Sequence, residues 1–274
     1  MKTILVATDL SERSDRAVRR AIWLAGQLGA SCHAIHVVDD SLPEQLVEYL
    51  REETGIRLRR FIDVNKGNVD VTTEILVGDA TEAIPEQAKA HNADLVVLGL
   101  HRPRAILDNL RETTMERLVR LTRKPILLVR EPADHAYSSV LAPISFSPAC
   151  AAAVRAARMI APEARMTMVH AVYLPFRGLT GERPGGVMDR ELTAEARDVC
   201  ARWCATEALP ANRDAVIYES GGLNEVIDRE RQMVNADLVA LGAHTRGPIA
   251  LHALGGFAAS LVRHPPTDLL LAHP

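Results

Sequence analysis

A long internal repeat is the feature that most restricts how this chain can fold. Residues Ala93–His101 read ADLVVLGLH, and residues Ala236–His244, 143 positions later, read ADLVALGAH. Seven of these nine positions are identical. Self-similarity at this distance indicates a duplicated folding unit. The 274 residues are therefore expected to form two domains rather than one large domain.

Two further pairs of segments extend the repeat and locate its boundary. Residues 78–84 correspond to 221–227 at the same spacing, and residues 4–11 correspond to 140–147 at a spacing of 136. The polar segment 131–138 lies between the copies and is typical of a linker. We therefore predict a first domain over residues 1–132 and a second domain over residues 138–274.

Within each half, short apolar runs alternate with amphipathic helix patterns. Ser11 is placed to cap the first helix and Gly29 to end it, while Ser147 and Pro148 open the corresponding helix of the second half. Strands that alternate with helices require crossover connections and hence a parallel sheet. The predicted fold class is α/β, with two tandem doubly wound (Rossmann-like) domains, each a five-stranded parallel sheet with helices on both faces. Ligands of such sheets bind beyond the carboxyl ends of the strands.

Charge and hydropathy lower the expectation of two classes of partner. The formal charge is −3 and the sequence pI is about 6.4, so no overall field draws the chain to nucleic acid or to an anionic membrane. The sequence has no run of 18 apolar residues, and it opens directly on a strand-like segment rather than on a signal-peptide pattern. We therefore expect a cytoplasmic protein that binds neither nucleic acid nor membrane.

The cysteines and histidines do not predict a metal site. Cys32, Cys150, Cys200 and Cys204 are dispersed and are expected to be reduced thiols. Cys200 and Cys204 share one helix face and could form half of a metal site, but no second pair of ligands completes it. Small buried side chains are the favoured interpretation for both.

The signatures of three large enzyme classes are absent from the sequence. It contains no G-x-G-x-x-G after the first strand, no G-x-x-x-x-G-K-[ST] and no G-x-S-x-G. Ser220–Asn224 resembles the start of a pyrophosphatase loop, but it follows the third strand and lacks the end of that motif. No acid–base pair or activated nucleophile is evident, so no catalytic residue is predicted.

One stretch of the sequence does carry a family resemblance. Leu98–His101, then residues 113–120 and then residues 124–129, read LGLH, TTMERLVR and KPILLV. This order resembles the C-terminal signature of universal stress proteins. With the repeat, the whole chain resembles a tandem universal stress protein with both copies in one polypeptide.

The resemblance implies a nucleotide site in the first half. In nucleotide-binding members an Asp after the first strand contacts the nucleoside, the end of the second strand meets the adenine, and a G-x-x-G-x9-G-[ST] loop surrounds the phosphates. The positions that match or stand within this pattern are Thr8, Asp9, Val38, Gly99, His101, Arg102, Thr113 and Thr114. Arg102 replaces the second Gly and Glu112 the third. A carboxylate there would repel phosphate oxygens by about 1 kcal/mol or more.

The second half departs from the pattern in another way. Ser145 replaces the Asp, Thr245 the second Gly, and Gly256 the hydroxyl residue. The positions that it keeps are Gly242, His244 and Gly255. Neither half has the full set, although a loop guanidinium such as that of Arg246 could replace lost contacts to a phosphate. If a nucleotide binds, the first half is expected to hold it, because Asp9 can accept hydrogen bonds from ribose hydroxyls.

These departures imply a non-enzymatic stress-response protein that binds ligand rather than turning it over, with degenerate nucleotide loops in both halves. The alternative is an adenine-nucleotide sensor that binds ATP or ADP with slow or no hydrolysis. ATP or ADP is thus the candidate ligand, and no cofactor is certain. A transferase or hydrolase on the same fold is a third reading, which no residue pattern supports.

The resemblance also implies how the two halves associate. Single-domain members pair through their final strands, so Pro125–Val129 and Asp268–Ala272 are expected to lie together, with the two halves forming an intrachain pseudo-dimer. Association of two chains into a homodimer stays open. The loop Tyr173–Met188, rich in Gly and Pro, could be a lid, a partner site or an insertion.

Overall fold

The computed structural model describes residues 1–100, 113–132, 135–174, 185–209, 215–243, 245–246 and 250–274. Contacts divide the chain into two compact units. The first unit comprises Met1–Ala136 with His244–Leu271, and the second comprises Tyr137–Ala243 with Ala272–Pro274. Most of the predicted loop Tyr173–Met188, residues 175–184, lies outside the described residues.

Strands and helices alternate along the chain. The first half contains β1 (Thr3–Ala7), α1 (Glu12–Leu28), β2 (Ser31–Val38), α2 (Glu44–Asn65), β3 (Val71–Val77), α3 (Ala80–Ala90), β4 (Leu95–Gly99), α4 (Thr114–Leu121) and β5 (Ile126–Val129). The remainder contains β6 (Ser139–Pro143), α5 (Pro148–Ile160), β7 (Arg165–Val172), α6 (Val187–Thr206), β8 (Ala215–Ser220), α7 (Leu223–Met233), β9 (Leu238–Gly242), β10 (Thr245–Arg246), β11 (Ala250–Leu254), α8 (Gly256–Arg263) and β12 (Asp268–Ala272).

The first unit contains a parallel sheet in the order β3-β2-β1-β4-β5. The strand order changes direction between β1 and β4, which is where doubly wound sheets open a cleft for ligands. Next to β5 lies β12, which runs antiparallel to it and places Leu269 opposite Leu128 and Leu270 opposite Leu127. The predicted pairing of the two final strands is therefore confirmed.

The second unit repeats this order in the strands β8-β7-β6-β9, which are also parallel. At the end of β9, the backbone N–H of Ala243 donates to the carbonyl of Ala272 over 2.8 Å. The predicted α/β class, with doubly wound parallel sheets in tandem, is confirmed.

The caps predicted for the first helix of each half are confirmed. Ser11 accepts a hydrogen bond from the N–H of Ser14 in a capping box, and Gly29 ends α1 in the left-handed conformation at φ 62°. In the second half, Ser147 caps α5 by accepting from the N–H of Cys150, and Pro148 occupies the first turn. Local sequence thus determines where the helix that follows each first strand begins.

Burial follows the parallel arrangement. Every residue of β4, β5, β6, β9 and β12 is buried. In α1, one face is buried against the sheet through Ala17, Val18, Ala21 and Leu24. Within the described ranges, every helix is too short or too polar to cross a lipid bilayer.

Candidate functional site

A pocket of about 230 Å³ opens at the carboxyl ends of β1 and β4 in the first unit. Its floor comes from these strands and from β2, and its walls from the first turns of α1, α3 and α4. The residues that line it are Ala7, Thr8, Asp9, Ser14, Val37, Ala80, Ile84, Leu98, Gly99, Leu100, Thr114, Met115 and Leu118. The pocket therefore lies at the edge of the sheet where the strand order predicts a ligand site.

The β1–α1 turn holds Asp9 at the pocket through a network of hydroxyl groups. Asp9 Oδ1 accepts hydrogen bonds from Ser14 Oγ over 2.6 Å and from Ser11 N over 3.0 Å. Ser14 Oγ also contacts Thr8 Oγ1 at 2.8 Å, and Thr8 Oγ1 accepts from Leu10 N over 3.0 Å. Thr8 and Ser14 are buried, whereas Asp9 is exposed. The buried hydroxyl groups therefore orient a carboxylate that solvent or a ligand can reach.

Neighbouring elements fix the backbone of this turn. Leu10 has a positive φ of 59°, a conformation that non-glycine residues seldom adopt. Its carbonyl accepts a hydrogen bond from Arg57 of α2 over 3.0 Å. His36 Nδ1 of β2 lies 2.8 Å from the carbonyl of Thr8, within hydrogen-bond range. The turn is thus restrained from two sides, which supports a preorganised site.

Gly99 is required by packing at the end of β4. A Cβ atom at this position would lie 2.7 Å from Ser14 Cα and 3.2 Å from the carbonyl oxygen of Arg13, both in the backbone of α1. In the second unit, a Cβ on Gly242 would lie 2.6 Å from the carbonyl carbon of Ala149 in α5. The repeated glycine therefore allows the first turn of a helix to approach the strand end.

The end of β2 contributes Val37 to the pocket lining, next to Val38, the position that the resemblance assigned. Val37 lines the pocket, whereas the side chain of Val38 is buried and its carbonyl accepts from the N–H of Gly78. Ser14, Ala80, Ile84, Met115 and Leu118 also line the pocket and were missed. These residues lie near the N-termini of α1, α3 and α4. The sequence predicts where such helices begin, and this was the one signal that could have found them.

Thr113 and Thr114 open α4 beside the pocket. Thr113 caps the helix by accepting from Glu116 N over 3.2 Å, and its own N–H donates to Glu116 Oε2 over 2.7 Å. Glu116 is buried, and Arg263 of α8 donates to its two oxygens over 3.0 and 3.3 Å. Thr114 lines the pocket directly. The helix dipole at the N-terminus of α4 favours negative charge here.

The corresponding turn of the second unit is less polar. Cys150 stands where the first unit has Ser14, and its sulfur accepts from Ser145 N over 3.3 Å. Phe146, with φ 59°, stacks on His170 at 4.3 Å between ring centroids. Trp203 Nε1 donates to the carbonyl of Ser147 over 3.0 Å. An aromatic cluster and a thiol thus replace the carboxylate and hydroxyl groups of the first unit.

The remaining predicted site residues divide into two groups. Gly255 precedes α8 at φ −55°, a conformation that any residue adopts, so the backbone there does not itself require glycine. The others, His101, Arg102 and His244, lie outside the described residues, as does Glu112.

The described residues contain no group of three or more His, Cys, Asp or Glu side chains that could hold a metal ion. All four cysteines are buried thiols. Cys200 and Cys204 do lie together on α6, where burial and the neighbouring Cys200 raise the pKa of Cys204 to about 11. A thiol with this pKa is protonated at neutral pH in the absence of a metal.

Fold and site together define a doubly wound α/β protein with a small cleft at the switch point of its first sheet, and comparisons with known proteins agree. The sequence model of the universal stress protein family matches residues 1–130 and again residues 136–273. The chain therefore belongs to the universal stress protein family and carries two of its domains in tandem.

Individual relatives agree with this assignment. A universal stress protein of Methanocaldococcus jannaschii is 32% identical over 141 residues, which cover 48% of this chain and 83% of that protein. Universal stress protein G of Salmonella typhimurium is 30% identical over 144 residues, 47% of this chain and 99% of that protein. A crystal structure of a universal stress protein from Archaeoglobus fulgidus has a TM-score of 0.70 at 16% identity, covering 99% of this chain and 98% of that one, and shows similarity of fold.

Proposed function

We propose that this chain is a non-enzymatic stress-response protein of the cytoplasm that acts by binding a ligand in the pocket of its first unit. The ligand class that fits is an adenine nucleoside or nucleotide, held mainly through its nucleoside part. The observation that carries the proposal is the pocket itself, which combines one oriented carboxylate, Asp9, with apolar walls.

The composition of the walls favours a flat apolar group with hydroxyls at one end. Val37, Ile84, Leu98 and Leu118 offer apolar surface for a purine ring. Asp9 stands at the exposed end, where a carboxylate can accept hydrogen bonds from vicinal ribose hydroxyls.

The size of the pocket favours the nucleoside over the phosphates. Its volume of about 230 Å³ falls below the ~300 to 1,000 Å³ of most small-molecule sites, so a base with its sugar is a better match than a whole triphosphate. The replacement of loop glycines by Arg102 and Glu112 supports the same ranking.

The described side chains at the pocket support binding without turnover. Among the described residues that line it, Asp9 is the one ionisable group. General acid–base catalysis needs positioned groups that can both donate and accept a proton, and these residues do not supply such a pair. We therefore propose that the ligand leaves unchanged.

The N-terminus of α4 supports a second candidate function, an ATP or ADP sensor with slow or no hydrolysis. Thr114 and the N-terminus of α4 face the pocket, and the first turn of a helix binds anions through its N–H groups and dipole. Phosphates that extend from the nucleoside towards α4 would use this end.

Two measurements test the proposal. Mass spectrometry of protein denatured directly after purification should release an adenine-containing compound. Calorimetric titration with adenosine, ADP and ATP should then show affinity that falls from adenosine to ATP if the nucleoside dominates and Glu112 repels phosphate, and a steep increase towards ATP if the sensor reading is right.

A matched pair of variants locates the site. Ala80→Phe fills the pocket at the first residue of α3, whereas Ala90→Phe places the same ring at the exposed end of that helix. We expect Ala80→Phe to weaken adenosine binding at least tenfold and Ala90→Phe to leave it within twofold. Equal binding by both variants would show that the ligand binds elsewhere.

A further inference from the structure

Helix α2 exposes large apolar side chains along one face. Leu46, Tyr49, Ile56 and Val64 are 42%, 61%, 48% and 79% exposed. Among the described residues eleven large hydrophobic side chains are exposed to this degree, and four of them lie on this helix. The other side of α2 buries Gly55, Leu58 and Ile62 in the first unit. An exposed apolar face of this extent indicates an interaction surface.

The exposed residues follow the spacing of a helix–helix seam. The α2 strip consists of residues separated by three or four positions, namely Leu46, Tyr49, Glu53, Ile56, Arg60 and Val64. All six are exposed. A narrow strip whose mean spacing is 3.6 residues follows the turn of a straight α-helix, so it lies along one face and can pack lengthwise along another helix. The strip runs along most of a helix about 33 Å long at 1.5 Å per residue.

Charge identifies the helix that would fit. The N-terminal half of α2 is acidic, with four Glu residues against one arginine, and these are Glu44, Glu48, Glu52, Glu53 and Arg51. The C-terminal half is basic, with three arginines against one aspartate, namely Arg57, Arg59, Arg60 and Asp63, and Lys66 follows the helix. A helix with this polarity is complementary to itself when reversed, because the acidic half of each copy then faces the basic half of the other.

We propose that two copies of this chain associate through the α2 strips, packed antiparallel about a two-fold axis beside Ile56 and Arg57. Such an isologous contact uses the same surface on both copies. The register places Glu53 of each copy opposite Arg60 of the other copy, which gives two equivalent ion pairs. It also places Tyr49 of each copy opposite Val64 of the other. Within the described structure neither Glu53 nor Arg60 forms an ion pair in its own chain, so both are available for this contact.

The charge pattern excludes the alternative orientation. In a parallel pair Glu53 would face Glu53 and Arg60 would face Arg60, so that like charges would meet at both charged positions of the strip. Like-charge contacts across an interface are unfavourable, and salt would relieve them. The antiparallel dimer should instead weaken as ionic strength rises. The proposal does not depend on which ligand the first unit binds.

Sedimentation velocity of the full chain over a concentration series tests the proposal. We expect a monomer–dimer equilibrium in low salt. Glu53→Arg alone and Arg60→Glu alone each place like charges opposite each other and should weaken the dimer about tenfold. The double variant Glu53→Arg with Arg60→Glu restores opposite charges in the reversed sense and should recover most of the wild-type affinity. An apolar surface variant, Met233→Lys, serves as control, because Met233 is 72% exposed on α7.

A cross-linking experiment determines the orientation. With a short bis-maleimide, Ile56→Cys should cross-link two chains because it lies near the two-fold axis, whereas Leu46→Cys should not, because the strip ends are far apart in an antiparallel pair. Wild type that stays monomeric at every concentration, a double variant as weak as the singles, or cross-linking by Leu46→Cys in place of Ile56→Cys would each overturn the proposal.

Discussion

Arg20 Nε lies 3.6 Å from Asp268 Oδ2, and the two side chains are 1% and 0% exposed. This pair joins α1 to β12 inside the first unit. The guanidinium also donates to the carbonyls of His135 and Pro132 over 2.7 and 3.0 Å. Asp268 Oδ1 accepts from the backbone N–H groups of Arg130 and Glu131 over 2.7 and 2.9 Å. The final strand and the segment after β5 are therefore held by one buried ion pair.

Removal of one partner should destabilise the first unit strongly. Asp268→Ala leaves the Arg20 guanidinium buried without its carboxylate, and we expect a loss of about 3–5 kcal/mol. The double variant Arg20→Met with Asp268→Leu removes both charges and should lose less than the single variant, because no buried charge remains. Differential scanning calorimetry is the measurement, since a chain with two compact units need not unfold in one step.

An exposed pair provides the control for this prediction. Lys66 Nζ lies 2.7 Å from Asp63 Oδ1, with side chains 38% and 64% exposed. Asp63→Ala should change stability by less than about 1 kcal/mol. If Asp268→Ala were as mild as Asp63→Ala, or if the double variant were less stable than the single, the buried pair would not hold the strand as described.

The two repeated glycines should be required for stability even without ligand. Gly99→Ala brings a Cβ to 2.7 Å from backbone of α1, and Gly242→Ala to 2.6 Å from backbone of α5. Backbone cannot move aside as the end of a side chain can, so each substitution should lose at least about 2–3 kcal/mol. Thermal unfolding of the ligand-free protein measures this loss.

Gly222→Ala is the control substitution, because Gly222 lies at a strand-to-helix junction that has room for a Cβ atom. There a Cβ would lie 3.5 Å from the Glu225 carboxylate, and the backbone φ is −66°. We expect it to cost less than about 1 kcal/mol. If Gly99→Ala were as stable as wild type, this glycine would not be required by packing against α1, and its role would be confined to ligand binding.

Much of the fold could be predicted from the sequence because its signals are local. The repeat shows the duplication, and Ser11, Gly29 and Ser147 act within one helical turn of their own positions. The repeated Asp of the ADLV segments, by contrast, acts on a strand that is distant in the chain. Asp94 accepts from Lys2 N and Thr3 N over 2.6 and 3.2 Å, and Asp237 accepts from Ser139 N over 3.0 Å, so each fixes the start of the first strand of its half.

What the sequence did not predict depends on distant contacts. Similarity shows which segments correspond, but it does not show against which unit a segment packs. Residues 244–271 belong to the second copy by sequence, yet they pack in the first unit, where Arg263 contacts Glu116. The predicted bounds 1–132 and 138–274 thus describe the repeat, and they stay a prediction for independently folding domains.

The pocket shows the same limit. Asp9 and Gly99 stand out in the sequence, but Ile84 and Leu118 look like ordinary helix residues until the strand order brings α3 and α4 beside β1. The function of Gly99 was also ambiguous, because a glycine in a phosphate loop and a glycine under a helix look alike in one sequence.

Asp79, which caps the helix that lines the pocket, should contribute stability that depends on pH. Its carboxylate accepts from Thr81 Oγ1 and Thr81 N, both over 2.6 Å, and these bonds hold the pKa of Asp79 below its ordinary value of 3.8. The unfolded chain therefore takes up a proton more readily than the folded one. The contribution is present above pH 3.8 and is lost as the pH falls through the lower pKa of the folded state.

The variant Asp79→Asn keeps a capping side chain that does not titrate. The difference in melting temperature between wild type and Asp79→Asn should be constant from about pH 7 to about pH 5 and should shrink below about pH 4. Glu163→Gln, in an exposed turn, is the control for replacing an acidic side chain by its amide. A difference that grows as the pH falls would contradict the assigned direction of the Asp79 pKa.

The last prediction concerns the two loop positions that depart most from the phosphate-binding pattern. If Glu112 closes the first site to triphosphates, Glu112→Gly together with Arg102→Gly should restore glycine at both positions and produce measurable ATP affinity. The two changes should couple if the wild-type side chains form an ion pair in the phosphate site. Glu112→Gly alone then leaves Arg102 able to attract phosphate, so this single variant should bind ATP at least as tightly as the double. Calorimetric titration of wild type, both single variants and the double is the measurement, with Glu163→Gly as the control for losing an acidic residue outside the loop. ATP binding by wild type in the low micromolar range, or no gain in any loop variant, would show that Glu112 and Arg102 do not control the site.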